Sequence, residues 1–91
     1  MISLAGDKAT LAGPVTLANV NAVLDEGARS FKAPSLTVDL SGVTEVDSTA
    51  VSLLLEWRRA AQRDKRTIAY INYPANLKSL IQLYGVAELL E

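Results

Sequence analysis

A chain of 91 residues has room for one hydrophobic core, so residues 1–91 are expected to form a single domain. Apolar residues make up 49% and charged residues 21%, an ordinary globular profile, and a net charge of −1 argues against nucleic acid as a partner, because such binders carry excess cations to displace counterions from phosphates. Cysteine and histidine are both missing, which removes disulfides, thiolate nucleophiles, the usual zinc ligand sets and a histidine general base.

The first element is a hairpin. Ile2 and Leu4 alternate with polar or small neighbours, and Ala9, Leu11 and Gly13 alternate again after a break. Gly6-Asp7 between them suits a two-residue primed turn, with Gly6 taking the positive φ at its first position. Gly13-Pro14 is expected to end the second strand, since proline cannot donate to a ladder. A first amphipathic helix is predicted from about Thr16, as N-cap, to Phe31, with Leu17, Val20, Leu24, Ala28 and Phe31 as its apolar stripe. Gly27 weakens that helix by about 1 kcal/mol relative to alanine.

Leu36–Leu40 reads as a central strand, followed by a loop over Ser41–Val46. A second helix is expected from Ser48 to about Gln62, its start marked by the capping cluster Asp47-Ser48-Thr49. Thr67–Ile71 is a further strand. Pro74 opens a third helix with Leu77, Leu80, Ile81 and Tyr84 on one side, and Gly85 caps it. Val86, Leu89 and Leu90 form an apolar tail that either packs back or adds a last turn. The fold class is therefore α/β: a mixed sheet of about four strands, with an N-terminal antiparallel hairpin and about three amphipathic helices packed on one face. No basic segment leads into an apolar run and no stretch reaches the length of a bilayer span, so neither a signal peptide nor a membrane helix is expected.

Steps of 100° around the second helix put Ala50, Leu54, Trp57 and Ala61 on a core stripe flanked by Leu53. Ser48, Ser52, Glu56, Arg59 and Arg63 occupy the opposite side, and Leu55 lies among them as an exposed leucine. A single exposed leucine is common on any surface. Here it continues a surface of mixed chemistry that begins at the helix N-terminus, which is the composition of a docking patch. Ser48 reads first as a cap; it also offers a hydroxyl where the helix dipole would favour a phosphate. The run Arg58, Arg59, Arg63, Lys65 and Arg66 reads as cations that complement the end of the helix dipole and stay solvated. Asp39 and Asp47 flank the segment after the central strand, but Gly42 stands alone and no glycine-rich phosphate loop accompanies them, so a nucleotide-binding or enzymatic role has the least support.

The run from Val38 through Asp39-Leu40-Ser41-Gly42 and Asp47-Ser48-Thr49 to Leu53-Leu54-Leu55 resembles the signature of STAS domains, small domains found in anti-sigma-factor antagonists, sulfate transporters and a bacterial lipid-transport system. The predicted order of elements is also that of the family. Two branches compete. In antagonists a kinase phosphorylates the Ser or Thr after the aspartate, a position that falls on Ser48 (with Thr49 as fallback); Ala50 stands where antagonists usually carry glycine. Leu53-Leu54-Leu55 and the closing Leu83-Tyr84-Gly85-Val86 are more similar to the MlaB branch, the cytoplasmic STAS subunit of the Mla phospholipid ABC transporter. That resemblance implies a non-catalytic protein without cofactor or metal, cytoplasmic and peripheral to the inner membrane through the transporter alone. Its implied partner is the ABC ATPase subunit, held through Ser48, Thr49, Ser52, Leu55 and Arg59. The alternative implied partner is an anti-sigma-factor serine kinase acting on Ser48.

Overall fold

The computed structural model describes residues 1–90. The elements run β1 (Ile2–Ala5), β2 (Lys8–Val15), α1 (Val20–Ser30), β3 (Ser35–Val46), α2 (Ser48–Arg63), β4 (Thr67–Ile71), α3 (Ala75–Tyr84) and α4 (Ala87–Leu90). One sheet has the order β1-β2-β3-β4, antiparallel between β1 and β2 and parallel thereafter. The two parallel crossovers are α1 and α2, as the strand–helix–strand pattern requires. In β3 the side chains of Leu36, Val38 and Leu40 are buried while Thr37 and Asp39 are half-buried; in β4 Ile68 and Tyr70 are buried while Ala69 and Ile71 are exposed. The helices therefore cover one face of the sheet, and the other is open to solvent.

The hairpin turns as its sequence predicts: Ala5 pairs with Lys8 and Gly6 sits at φ +65°. Pro14 does not break β2, which runs on to Val15. Strand β1 ends beside Ala12, whose N–H reaches the Met1 carbonyl (2.8 Å), and two residues further along the same side no strand remains to need an amide from Pro14. The expected loop over Ser41–Val46 is the second half of β3 instead. Thr10 to Ala12 of β2 faces Asp39 to Gly42, and Gly13 to Val15 faces Val43 to Val46, so β3 carries one extra residue at each step. These bulges spoil the two-residue period on which the strand reading depends.

Helix α1 begins at Val20 rather than Thr16. The Asn19 side chain accepts the Thr16 amide (3.0 Å) and donates to the Pro14 carbonyl (2.8 Å), folding residues 16–19 into turns. Leu17 consequently leaves the predicted apolar stripe and is 76% exposed. Ala28 is exposed too, lying about 80° around the helix from Val20, whereas Val23 and Gly27 are buried. The third helix starts after Pro74, its N-cap, and ends at Gly85 in the left-handed region, φ 67°. Tyr84 is exposed and only Leu77 and Ile81 of its stripe are fully inside. The apolar tail adds a last helical turn, α4, one of its two expected outcomes; it buries Leu90 and leaves Leu89 outside.

The fully buried side chains Leu11, Val15, Val23, Val38, Leu40, Leu54 and Leu77 come from two strands and three helices, so one core holds the sheet and helices together. Ala50, Leu53, Leu54, Trp57 and Ala61 of α2 are all buried in it, as the helical steps predict, and Val51 joins them. Trp57 meets Phe31 edge-on with ring centroids 4.9 Å apart, and its indole lies against Gly27. A Cβ at Gly27 would come within 2.5 Å of that indole, so the glycine is a packing requirement and not a weakness of the helix. Gly27→Ala is expected to destabilise the domain by about 1–3 kcal/mol in urea unfolding, overpacking winning over the gain in helix propensity; a variant more stable than wild type would contradict this packing.

Candidate partner-docking surface

Asp47 builds the site. It is the N-cap of α2, and its Oδ1 accepts the Thr49 amide (2.9 Å) and the Thr49 hydroxyl. Its Oδ2 accepts the Leu17 amide at 2.8 Å, from a turn thirty residues earlier in the chain. One carboxylate thus joins the entrance of α1 to the entrance of α2. These donors favour the charged form: the Thr49 hydroxyl foremost, then the Leu17 amide, hold Asp47 below the ordinary carboxylate value.

With both entrances fixed, α1 and α2 enclose a shallow groove of about 480 Å³. Thr49, Ser52, Leu55 and Arg59 line it from α2, and Val20, Asn21 and Leu24 from α1. The structure therefore gathers four of the five residues singled out from the sequence into one surface. Ser48 stands outside the groove lining, exposed on the first turn of α2. Ser52 and Arg59 are exposed and Thr49 half-buried. Leu55 is half-buried against the edge of the core, not the fully exposed leucine expected, because α1 leans over that side of α2. Arg59 is paired with Glu56 at 2.6 Å, one turn earlier on the same helix. The α1 side of the groove and the exposed Leu17 were not assigned to the surface by sequence, since helical periodicity placed Leu17, Val20 and Leu24 in a core stripe.

The two hydroxyls at the head of α2 differ. Thr49 is committed to Asp47, while Ser48 is exposed to solvent. Asp39 is engaged elsewhere, on the open face of the sheet: it accepts the Ser41 amide (2.9 Å) and the Asn72 side chain (3.2 Å) and lies 3.8 Å from Lys8. The Ser41 amide is the main cause holding its carboxyl below the usual range. In the basic run, Arg58 reaches the Leu90 carbonyl (3.4 Å), and Arg66 bonds the Phe31 carbonyl (2.9 Å) and Asp64 (3.2 Å), so these cations tie helix and tail to the body of the domain.

A family profile described as "Mlab, STAS domain" matches residues 2–91. The chain belongs to the STAS domain family. Among solved structures, this STAS domain is similar to the anti-sigma-factor antagonist SpoIIAA in its unphosphorylated form, with a TM-score of 0.76 and 12% identity over 100% of this chain and 84% of that one. It is also similar to part of Mglu, with a TM-score of 0.63 and 20% identity over 82% of this chain and 20% of that one. At such identities these neighbours establish the fold. No curated protein sequence matches the chain. STAS domains are in general regulatory modules that act through contact with other proteins, and that role holds for this one.

The cap has a pH signature of known sign. A carboxyl held below its unfolded value stabilises the fold fully above that value, about 3.9 for aspartate, and the contribution disappears as pH falls through the folded pKa. Wild type is expected to have a higher urea midpoint than Asp47→Asn at neutral pH, with the gap closing below about pH 4. A gap that stays constant down to pH 2 (about two units below the aspartate value) would show that the charge of Asp47 contributes nothing.

Proposed function

We propose that this STAS domain is a non-catalytic subunit that docks on the ATPase of an ABC phospholipid transporter through the head of α2 and the α1–α2 groove, and that it stabilises or activates that ATPase to support outer-membrane lipid asymmetry. In this reading it is cytoplasmic and meets the membrane only through the transporter. The observation that carries it is the grouping of Thr49, Ser52, Leu55 and Arg59 along one groove, with Ser48 exposed at its head. The MlaB wording of the matching family profile supports this choice of partner, as do the Leu53-Leu54-Leu55 and Leu83-Tyr84-Gly85-Val86 segments.

A second reading has one observation of its own. The exposure of the Ser48 hydroxyl suits a kinase substrate, and a phosphate there would carry about −2 charge beside the Asp47 carboxylate. In that reading the domain is an anti-sigma-factor antagonist switched off by phosphorylation of Ser48. Incubation with the cognate anti-sigma kinase and ATP, followed by mass spectrometry, separates the two: the transporter reading expects no phosphoserine at Ser48.

Ser48→Arg tests the docking surface. The position is exposed and helical, so the fold is retained, with a cost of about 0.3–1 kcal/mol from a cation at the positive end of the helix. Co-purification with the transporter ATPase is expected to be lost and ATPase stimulation abolished. A Ser48→Arg variant that keeps the complex and full stimulation would overturn the proposal.

A further inference from the structure

A net charge of −1 conceals an uneven distribution along the α1–α2 seam. At the head, Asp47 is ionised, its donors holding the carboxyl below the ordinary value. At mid-seam Asp25 is exposed, and Glu56 is neutralised by Arg59 at 2.6 Å. At the far end the C-termini of the two helices come together: the Arg66 guanidinium donates to the Phe31 carbonyl (2.9 Å) and the Thr67 amide to the Pro34 carbonyl (2.8 Å). Arg29 and Lys32 stand there from the end of α1, and Arg63 and Lys65 from the end of α2. All four are exposed, and none has an ion-pair partner among the described residues.

The helix dipoles do not use up these cations. Each helix C-terminus is worth about −0.5 charge. Asp7 adds one carboxylate from the hairpin turn beside the start of β3, where its carbonyl takes the Thr37 amide at 2.9 Å, and Asp64 is spent on Arg66 at 3.2 Å. Four cations against about −2 leave a surplus of about +2 at this end. The seam also reaches it without a break. Leu24 and Glu56 line both the docking groove and a second recess of about 220 Å³, floored by Phe31 and Trp57 and rimmed by Arg63 and Arg66. An interface of ordinary size covers about 800 Å² of each partner, a disc about 16 Å in radius. From Ser52, in the groove, to Arg63 is about 16 Å along α2. A protein seated on the groove over an ordinary area therefore extends to the cationic end.

We infer that the docking interface runs the length of the α1–α2 seam, and that the partner protein presents carboxylates to Arg63 and Lys32 at its cationic end. This rests on the reading in which the α1–α2 face docks on the transporter ATPase. A negative head and a positive end give the seam a polarity, so a partner with an acidic region fits in one direction only. Charges placed in this way act on orientation and association rate. Lipid headgroups would attract the same cations, but they account neither for the continuous groove nor for the hydroxyls of Thr49 and Ser52 within it.

The test uses the full chain and the transporter ATPase, with wild type, Ser48→Arg, the pair Lys32→Glu and Arg63→Glu together, Arg63→Glu alone and Lys78→Glu compared by titration calorimetry. Lys78 is an exposed cation on α3, away from the seam, so its reversal matches the charge change of Arg63→Glu without touching the interface. Circular dichroism confirms that each variant is folded, and the salt dependence of wild type needs no variant at all. The inference expects Arg63→Glu to bind about tenfold or more weakly at ~50 mM NaCl, the double variant more weakly still, Lys78→Glu to stay within about threefold of wild type, and wild type to lose about tenfold or more between ~50 and ~500 mM NaCl. Loss of binding by Ser48→Arg with undiminished binding by the double variant overturns the cationic contact and leaves the docking face standing. A wild-type affinity indifferent to salt, or an equal loss in Lys78→Glu, overturns it as well. Vesicles of phosphatidylglycerol and phosphatidylcholine give the remaining arm: co-sedimentation that Arg63→Glu abolishes, with ATPase affinity unchanged, assigns the cations to lipid and overturns the inference. Absence of any complex with wild type overturns the docking reading and this extension together.

Discussion

The two helix entrances beside the candidate docking surface are joined by one carboxylate. Asp47 accepts hydrogen bonds from Thr49 within its own helix turn and from Leu17 across a sequence gap of thirty residues. A capping aspartate usually satisfies only the helix it begins. Here the second oxygen fixes where the chain enters α1, so the starts of the two crossover helices are set against each other by direct bonds. Without that tie, Ser48 would still begin a helix, but the wall of the groove opposite it would be held only by packing and by the Trp57–Leu24 hydrogen bond farther down.

The packing that backs this tie lies farther down the same helices. Trp57 of α2 fits against Gly27 and Phe31, and its ring nitrogen donates to the Leu24 carbonyl at 3.4 Å. On the other side of α2, the Tyr70 hydroxyl of β4 donates to the Leu54 carbonyl at 2.7 Å, and burial pushes its pKa up, so it remains a neutral donor. Helix α2 is thus held at its head by a cap, on one flank by an aromatic contact and on the other by a strand. A face built on so constrained an element suits recognition with little rearrangement of the domain itself.

Much of this was legible in the letters. The buried face of α2, the extent of β4 and the Gly6 and Gly85 turns follow from periodicity and glycine chemistry, because in those segments local preference and tertiary packing agree. The errors have local physical causes. Bulges in β3 removed the alternation that marks a strand, and Pro14 was harmless because the neighbouring strand had already ended. Asn19 outcompeted the helix for the backbone of residues 16–19, and this moved Leu17 from the expected core to the surface. The α2 half of the groove could be read from a helical wheel. The α1 half could not, since no sequence pattern announces that an aspartate in one helix cap will bond an amide thirty residues away.

The central claim is that contact with a partner is made by the face that Asp47 organises. Backbone amide shifts of the isotopically labelled domain, followed while unlabelled transporter ATPase is added, address it most directly. The account predicts that perturbations concentrate at Leu17, Asn21, Ser48, Ser52 and Leu55. Perturbations confined to the open side of the sheet, at Thr10, Thr37 and Ala69, or to α3 and α4, would contradict it.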